Sequence, residues 1–200
     1  MSLRDLLRRR RNVYGFLSKP VTNRILNSIL ENATHVPSAG FTQDFEFVVV
    51  RDASLKKKLA EAASERDYSK SGRAKPDFIS KAPVIVIPCG SKLRFEMKYG
   101  RPAEKKARLP WWLIDAGFAS FALILSAFEV GLAASFIGAI DDEKVSKILK
   151  LPKDNSIVPL AIVPIGYPDP EEAEKWKAAN LSANKKRRRK LEELTHWDGW

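Results

Sequence analysis

Apolar and polar positions divide the chain into a series of short elements around one long one. From Trp111 to Gly131 the sequence reads WWLIDAGFASFALILSAFEVG. Ile114, Phe118, Phe121, Leu125 and Phe128 recur at steps of four and three, one face of a helix. The remaining faces carry small residues: Ala116, Ala119, Ser120, Ala122, Ser126 and Ala127. Pro110 suits a helix start and Gly131 a helix stop. A helix apolar nearly all round must be enclosed. Asp115 and Glu129 leave only 116–128 uncharged between them, short of the roughly 20 residues of a membrane span. Protein is therefore the expected enclosure.

The other elements follow in order. Leu3, Leu6 and Leu7 among arginines predict a short amphipathic helix. Pro20 and Thr22 open a second, with Ile25, Leu26, Ile29, Leu30 and Ala33 as its stripe, ending at 35–37 before a proline. FEFVVV (45–50) reads as a buried strand, and Asp52 or Ser54 caps a helix through Leu55, Leu59 and 62–63. Residues 64–81 read as polar loop, APVIVIPC (82–89) as a second buried strand, and 90–108 as basic and irregular. LAASFIGAI (132–140) is strand-like, and Asp141 caps a helix carrying Val145, Ile148 and Leu149. IVPLAIVPIGYP (157–168) is a strand whose Pro159 and Pro164 require an edge or a bulge. Four strands separated by helices predict one α+β domain over 1–200, a mixed α/β sandwich. Residues 169–200 form a polar extension whose Trp197 and Trp200 must dock on the same domain or on a partner subunit.

Composition adds to this picture at three points. A chain of 200 residues, 44% hydrophobic, suits one domain with a real core. The single cysteine, Cys89, excludes an internal disulfide, and no apolar run follows the basic N-terminus; both predict a cytoplasmic protein. The net charge is +11, of which +4 sits in residues 1–12 and +6 in KKRRRK (185–190). Two basic ends on a near-neutral domain call for a polyanion, a phosphate group or simple solvation. A basic nucleic-acid-binding protein is thus a reading of another class, although the clusters lack the interleaved aromatics of a single-strand groove.

Hydrolase and metal chemistry find no support. There is no G-x-S-x-G, CxxC, HExxH, GxGxxG or P-loop pattern. His35 and His196 read as packing or capping residues, and Cys89 as a small buried hydrophobe. Two segments could bind something. Arg10-Arg11-Asn12-Val13-Tyr14-Gly15-Phe16 offers guanidinium forks for a phosphate, or is a solvated basic helix end. Pro37-Ser38-Ala39-Gly40-Phe41-Thr42-Gln43 is an ordinary connection, or a loop whose small residues allow close approach while Ser38 and Gln43 hydrogen-bond a planar heteroaromatic.

Taken together these segments resemble the FMN-dependent nitroreductase family. Arg10 to Phe16 resembles its R-R-S-x-R-x-F opening, and HVPSAGFTQDFEFVVVRD (35–52) its A-P-S-x-x-N-x-Q-P-W-x-F-V-V-V-x-D. APVIVIPC matches its second strand, 112–132 its long D-x-G-x-A helix, Phe136-Ile137-Gly138-Ala139 its W-I-G-G, and KRRRKLEELTHWDGW its basic C-terminus ending in HW.

The resemblance implies a central, mostly antiparallel sheet flanked by helices, a homodimer with the long helix at its interface, and C-terminal segments (169–200) exchanged between subunits. In such a dimer the Phe and Leu stripe of the long helix would pack under the sheet, and its small faces would let a second subunit's helix approach closely. It implies FMN held by Arg10, Arg11, Asn12 and Tyr14, by Pro37, Ser38, Ala39, Gly40 and Gln43, by Ile137 and Gly138, and by Arg187 and Arg189. NADH or NADPH would reduce the flavin and a nitroaromatic or quinone would reoxidise it by a ping-pong cycle; no side chain stands out as a catalytic acid or base. Flavin fragmentation to dimethylbenzimidazole and reductive dehalogenation are alternatives on the same fold. Asn12 stands where the family has Ser, Tyr14 where it has Arg, Phe41 where it has Asn, and Asp44-Phe45 where it has Pro-Trp. The first two put a phosphate contact in question, and the others bear on the substrate.

Overall fold

The computed structural model describes residues 2–65, 70, 77–101, 109–171, 174 and 189–200. Its helices are α1 (Leu3–Arg9), α2 (Asn23–Thr34), α3 (Ala53–Ala62), α4 (Lys92–Tyr99), α5 (Trp111–Glu129) and α6 (Asp142–Leu149). Its strands are β1 (Phe45–Val50), β2 (Val84–Ser91), β3 (Ala133–Ala134), β4 (Ile157–Pro159) and β5 (Val163–Gly166). The sheet runs β1-β2-β5-β3, with β4 also on β2, and every pair is antiparallel. The α+β sandwich expected from the sequence is the observed architecture.

Strand β2 is the axis. All of its residues are buried, and alternate side chains enter opposite layers. Val84 and Val86 face a cluster made with α2 and α5, including Leu26, Ile29, Leu123 and Ala127. Ile85, Ile87 and Cys89 face the second layer, with Leu59 of α3, Phe78, Ile79 and Val145 of α6. Burial pushes the Cys89 thiol up to about 12, so it stays a protonated packing group.

Helix starts are where capping residues place them. Thr22, Asp52 and Asp141 each accept the backbone N–H three residues on, and Ser2 with Asp5 forms a capping box. The 157–168 run divides in two: Ile87 and Pro88 of β2 stand opposite three residues, Leu160 to Ile162, because Cys89 pairs with Pro159 and Val86 with Val163. One extra residue is a bulge, the second of the two ways to seat the prolines. Pro164 lies in an interior strand, between β2 and β3.

Several expectations are corrected. β1 is only partly buried, with Glu46 and Val49 exposed, because it lies at the sheet edge. Residues 132–140 supply only the two-residue β3 and a bridge from Ile137 to Ile162. In the supposed polar stretch, Phe78 and Ile79 are core, and the Glu65 carboxylate accepts the N–H of Ile79 and Ser80. Residues 92–99 form a helix capped by Ser91 with Phe95 buried.

The largest correction concerns α5. Its small face, Ala116, Ala119, Ser120 and Ala127, is the one that packs inward, and Ser120 bonds back to the Ala116 carbonyl at 2.6 Å. Phe118 and Phe121 point outward, 47% and 46% exposed. Both faces are apolar, so burial goes to the side that lets the helix axis come closest to the sheet. The helix has the length and hydropathy of a membrane span, yet half of it is buried against the protein, with Asp115 inside.

Ala119 is fully buried in a cluster with Ala116 and Phe45. Ala119→Leu should therefore overpack the core by about 1–3 kcal/mol and lower the melting temperature by roughly 2–10 °C, measured by circular dichroism. An unchanged melting temperature would return the small face to the outside.

Candidate functional site

The segments singled out in the sequence form two groups. In the first, α1 ends at Arg10, whose guanidinium donates to Asn12 Oδ1 at 3.1 Å. Arg11 donates to the carbonyls of Arg8 and Arg10 at 2.6 and 2.9 Å. The Val13 backbone is locked to Ser135, whose Oγ accepts its N–H (2.9 Å) and donates to its carbonyl (2.5 Å). This joins the basic segment to the turn carrying Ile137 and Gly138, as one site requires.

Several members also have partners within the fold, and the half-buried Tyr14 accepts from Asn12 Nδ2 at 3.4 Å. Tyr14 stacks edge-on against Phe78, ring centroids 5.3 Å apart, and packs on the second layer. The Ile137 side chain is enclosed, and its N–H and C=O are both taken by Ile162. Ile137 is thus a core anchor, and Gly138 beside it is the exposed member. Arg189 pairs with Glu193 of its own 3-10 turn (Leu191–Glu193) at 3.5 Å, while Arg187 lies outside the described residues. Trp197 and Trp200 are exposed, His196 stacking on Trp200 at 4.2 Å, so docking of the C-terminus on its own domain is not what these tryptophans do.

The second group is the 37–44 loop. It turns through Gly40, Phe41 and Gln43, all at positive φ (54°, 60° and 50°). Left-handed backbone at Phe and Gln is costly and must be held by its surroundings. Four contacts hold it: Ser38 Oγ accepts Gln43 N–H (3.0 Å), Asp115 Oδ2 accepts Ala39 N–H (2.7 Å), Arg94 Nε donates to Thr42 O (3.1 Å), and Lys98 Nζ donates to Gly40 O. At Gly40 a side chain would also meet the Tyr99 hydroxyl. The loop is therefore a braced wall, clamped by α4 and α5.

That wall bounds a cavity of about 460 Å³ lined by Pro37, Ser38 and Ala39, by Phe95 and Tyr99 of α4, and by Trp111, Asp115 and Phe118 of α5. Its size suits a small organic ligand. Pro37, Ser38 and Ala39 were legible in the sequence; the α4 and α5 residues were not. The Ser91 cap and the Phe95–Tyr99 spacing were the available signals for α4, and a lone carboxylate in an apolar helix was the signal for Asp115.

Behind the wall lies Asp44, fully buried, with neither carboxyl oxygen meeting a donor and the Asp115 carboxyl beside it. Burial, then the neighbouring Asp115, pushes Asp44 up to about 6 from 3.8. A pKa raised on folding means the folded state binds more protons between those values, so stability falls as pH rises from about 4 to about 6 and stays lowered above. Asp44→Asn should accordingly raise the melting temperature at pH 8 by roughly 4–8 °C and change it little at pH 4. A gain of equal size at both pH values would mean that the carboxyl is not held protonated.

With this geometry in view, comparison with known proteins is direct. The nitroreductase family profile matches residues 7–167. The FMN reductase (NAD(P)H) of Bacillus subtilis is 27% identical over 183 residues, 87% of this chain and 69% of that protein. The iodotyrosine deiodinase of Haliscomenobacter hydrossis is 25% identical over 176 residues, covering 80% and 76%. The structure of the NfrA1 nitroreductase from B. subtilis superposes with a TM-score of 0.77 at 21% identity, covering 99% of this chain and 74% of that one. The motif order, the antiparallel sandwich and the profile agree, and the chain belongs to the nitroreductase family.

Proposed function

We propose that the protein is an FMN-dependent oxidoreductase in which NAD(P)H and an electron acceptor, such as a nitroaromatic or quinone, take turns at the cavity beside the 37–43 loop. The observation that carries this reading is the cavity itself. Its wall is the loop that the family uses against the flavin ring, held in strained backbone by four independent contacts. The donor set suits the cofactor. Two guanidinium groups and an amide at Arg10, Arg11 and Asn12 fit a phosphate, and Ser38 and Gln43 fit the polar edge of a heteroaromatic ring. FMN supplies hydride acceptance and donation when bound, while these residues bind and orient it.

The exposed side of α5 supports a homodimer. Phe118 and Phe121, with the half-buried Ile114, Leu125 and Phe128, form an apolar face of the kind that marks an interface. Exposed Trp197 and Trp200 give the C-terminal extension apolar anchors for a partner, and Arg187 and Arg189 would reach the phosphate across that boundary. The deiodinase relative favours a second reading, reductive dehalogenation at the same cavity.

Purified protein mixed with FMN and desalted should keep about one flavin per chain, bleached by NAD(P)H without oxygen and recoloured by a nitroaromatic or quinone. A colourless desalted protein would overturn the reading; halide release from a halogenated phenol would select the dehalogenase. Phe121→Glu should raise the dimer dissociation constant by roughly ten- to a hundredfold and lower flavin retention with it. Light scattering against bound-flavin ratio checks this, and a monomer that keeps its flavin would separate the helix face from the site.

A further inference from the structure

Asp115, in a cavity wall that is otherwise apolar or lightly polar, and Asp44 behind it are out of place. Asp44 is fully buried and Asp115 is 1% exposed. An ionised carboxylate can only accept hydrogen bonds. The two carboxyl groups lie side by side with the Thr42 hydroxyl as the neighbouring donor, and among the described residues neither Asp44 oxygen has a partner at hydrogen-bond distance. Two buried carboxylates in contact cannot both be ionised at reasonable cost. One proton between them resolves the shortage, because a protonated carboxyl becomes the donor its neighbour needs.

Among the described residues no cation meets the Asp44 carboxyl at hydrogen-bond distance. From α4, Arg94 and Lys98 spend contacts on the carbonyls of Thr42 and Gly40, and Tyr99 places its hydroxyl at Gly40. From β2, Ser91 N–H goes to the Asp44 backbone carbonyl, not to its carboxyl. On β1, Glu46 is exposed and its charge acts on Cys89. Asp115 alone of the pair reaches the cavity, while its Oδ2 is fixed by Ala39 N–H at 2.7 Å.

We propose that Asp44 and Asp115 hold one proton between them at the inner wall of the cavity, and that Asp115 delivers it to the polar group of a reducible substrate bound there. The proposal rests on the flavin reading for its reductant. A nitro group becoming nitroso takes up two electrons and two protons, breaks one N–O bond and releases water. Bound FMN would supply, as a hydride equivalent, both electrons and one proton; Asp115 would supply the other, leaving the pair doubly ionised until it regains a proton from water. A quinone carbonyl makes the same demand. Asp115 is the catalytic residue, and Asp44 is a positioning residue that keeps the proton on the pair. The substrate class is thus an acceptor that must be protonated as it is reduced, not a bare electron carrier.

Two measurements test this. Infrared titration of the flavin-free protein should show a carboxylic acid C=O band that persists to higher pH than for an ordinary aspartate and is lost in Asp44→Asn. The second is rapid mixing of the reduced flavoprotein with 4-nitrobenzoate, which takes up protons, and with ferricyanide, which takes none. In the wild type the ratio of the two rates should fall as pH rises through the titration of the pair. Asp115→Asn keeps an oxygen for Ala39 N–H but carries no acid; it should lower the ratio at least tenfold and flatten its pH profile. Asp115→Glu should restore part of it. Asp44→Asn should move the profile to lower pH. A ratio and profile in Asp115→Asn equal to wild type, with flavin bound, would overturn the proton delivery while leaving the flavin reading intact. If the wild type held no flavin, that reading would fall, and the infrared titration would still decide whether the pair is protonated.

Discussion

The close approach of helix α5 to the sheet is the contact on which the rest of the structure depends. It is set by what is missing from both surfaces. The helix brings Ala116, Ala119, Ser120 and Ala127 to the contact, and β2 answers with Gly90, where any side chain would strike the Trp112 ring and backbone. Small residues on facing elements shorten the distance between their axes, and packing density then leaves no room for error. Three consequences follow. Phe118 and Phe121 turn outward, the first helical turn is driven against the 37–44 loop, and Asp115 is carried into the protein, where it reaches Ala39. The exposed aromatic face and the buried carboxylate are two ends of one packing decision.

That decision was the part of the fold the sequence left open. Capped, periodic elements were legible: Thr22 before the Ile25–Ile29–Ala33 stripe, Asp141 before Val145 and Ile148, and FEFVVV as β1. A helix with one apolar face carries its own orientation. One with apolar residues all round does not, because the pattern shows that it is buried without showing which side. Phe and Leu claim the core by hydrophobicity, while Ala and Ser claim it by fit; here fit turned Phe118 and Phe121 outward, and Leu123 and Ile124 went inward beside the small residues. The α4 helix was hidden for the opposite reason. Only Phe95 of its eight residues is fully buried, so polar composition masked an element whose role is to clamp the loop through Arg94 and Lys98. Phe78 and Ile79 were hidden by polar neighbours in the chain.

The candidate site divides along the same line. Pro37, Ser38 and Ala39 were readable because a helix–strand connection rich in small residues implies close approach, and they do wall the cavity. Tyr14 and Ile137 are ligand contacts only by their place in a motif; in the fold the one stacks on Phe78 and the other bridges to Ile162, packing roles that the motif alone does not reveal. Asp44 and Asp115 stand 71 positions apart in sequence, and only tertiary contact makes them a pair. No spacing rule could have joined them.

Electrostatics and assembly meet at Phe118, which lines the cavity and is also nearly half exposed on the outer face of α5. A body packed on that face would cover the mouth of the cavity as it buried the aromatic stripe. Excluding water there lowers the local dielectric, which strengthens every charge interaction inside. The carboxyl pair would then hold its proton more tightly and release it more readily to a group gaining electron density than to solvent. The basic clusters that dominate the net charge lie at the chain's two ends, whereas the site has two acids in contact at its inner wall. On the proposed reading, the phosphate and the group being reduced would make opposite electrostatic demands, met by different segments of one chain.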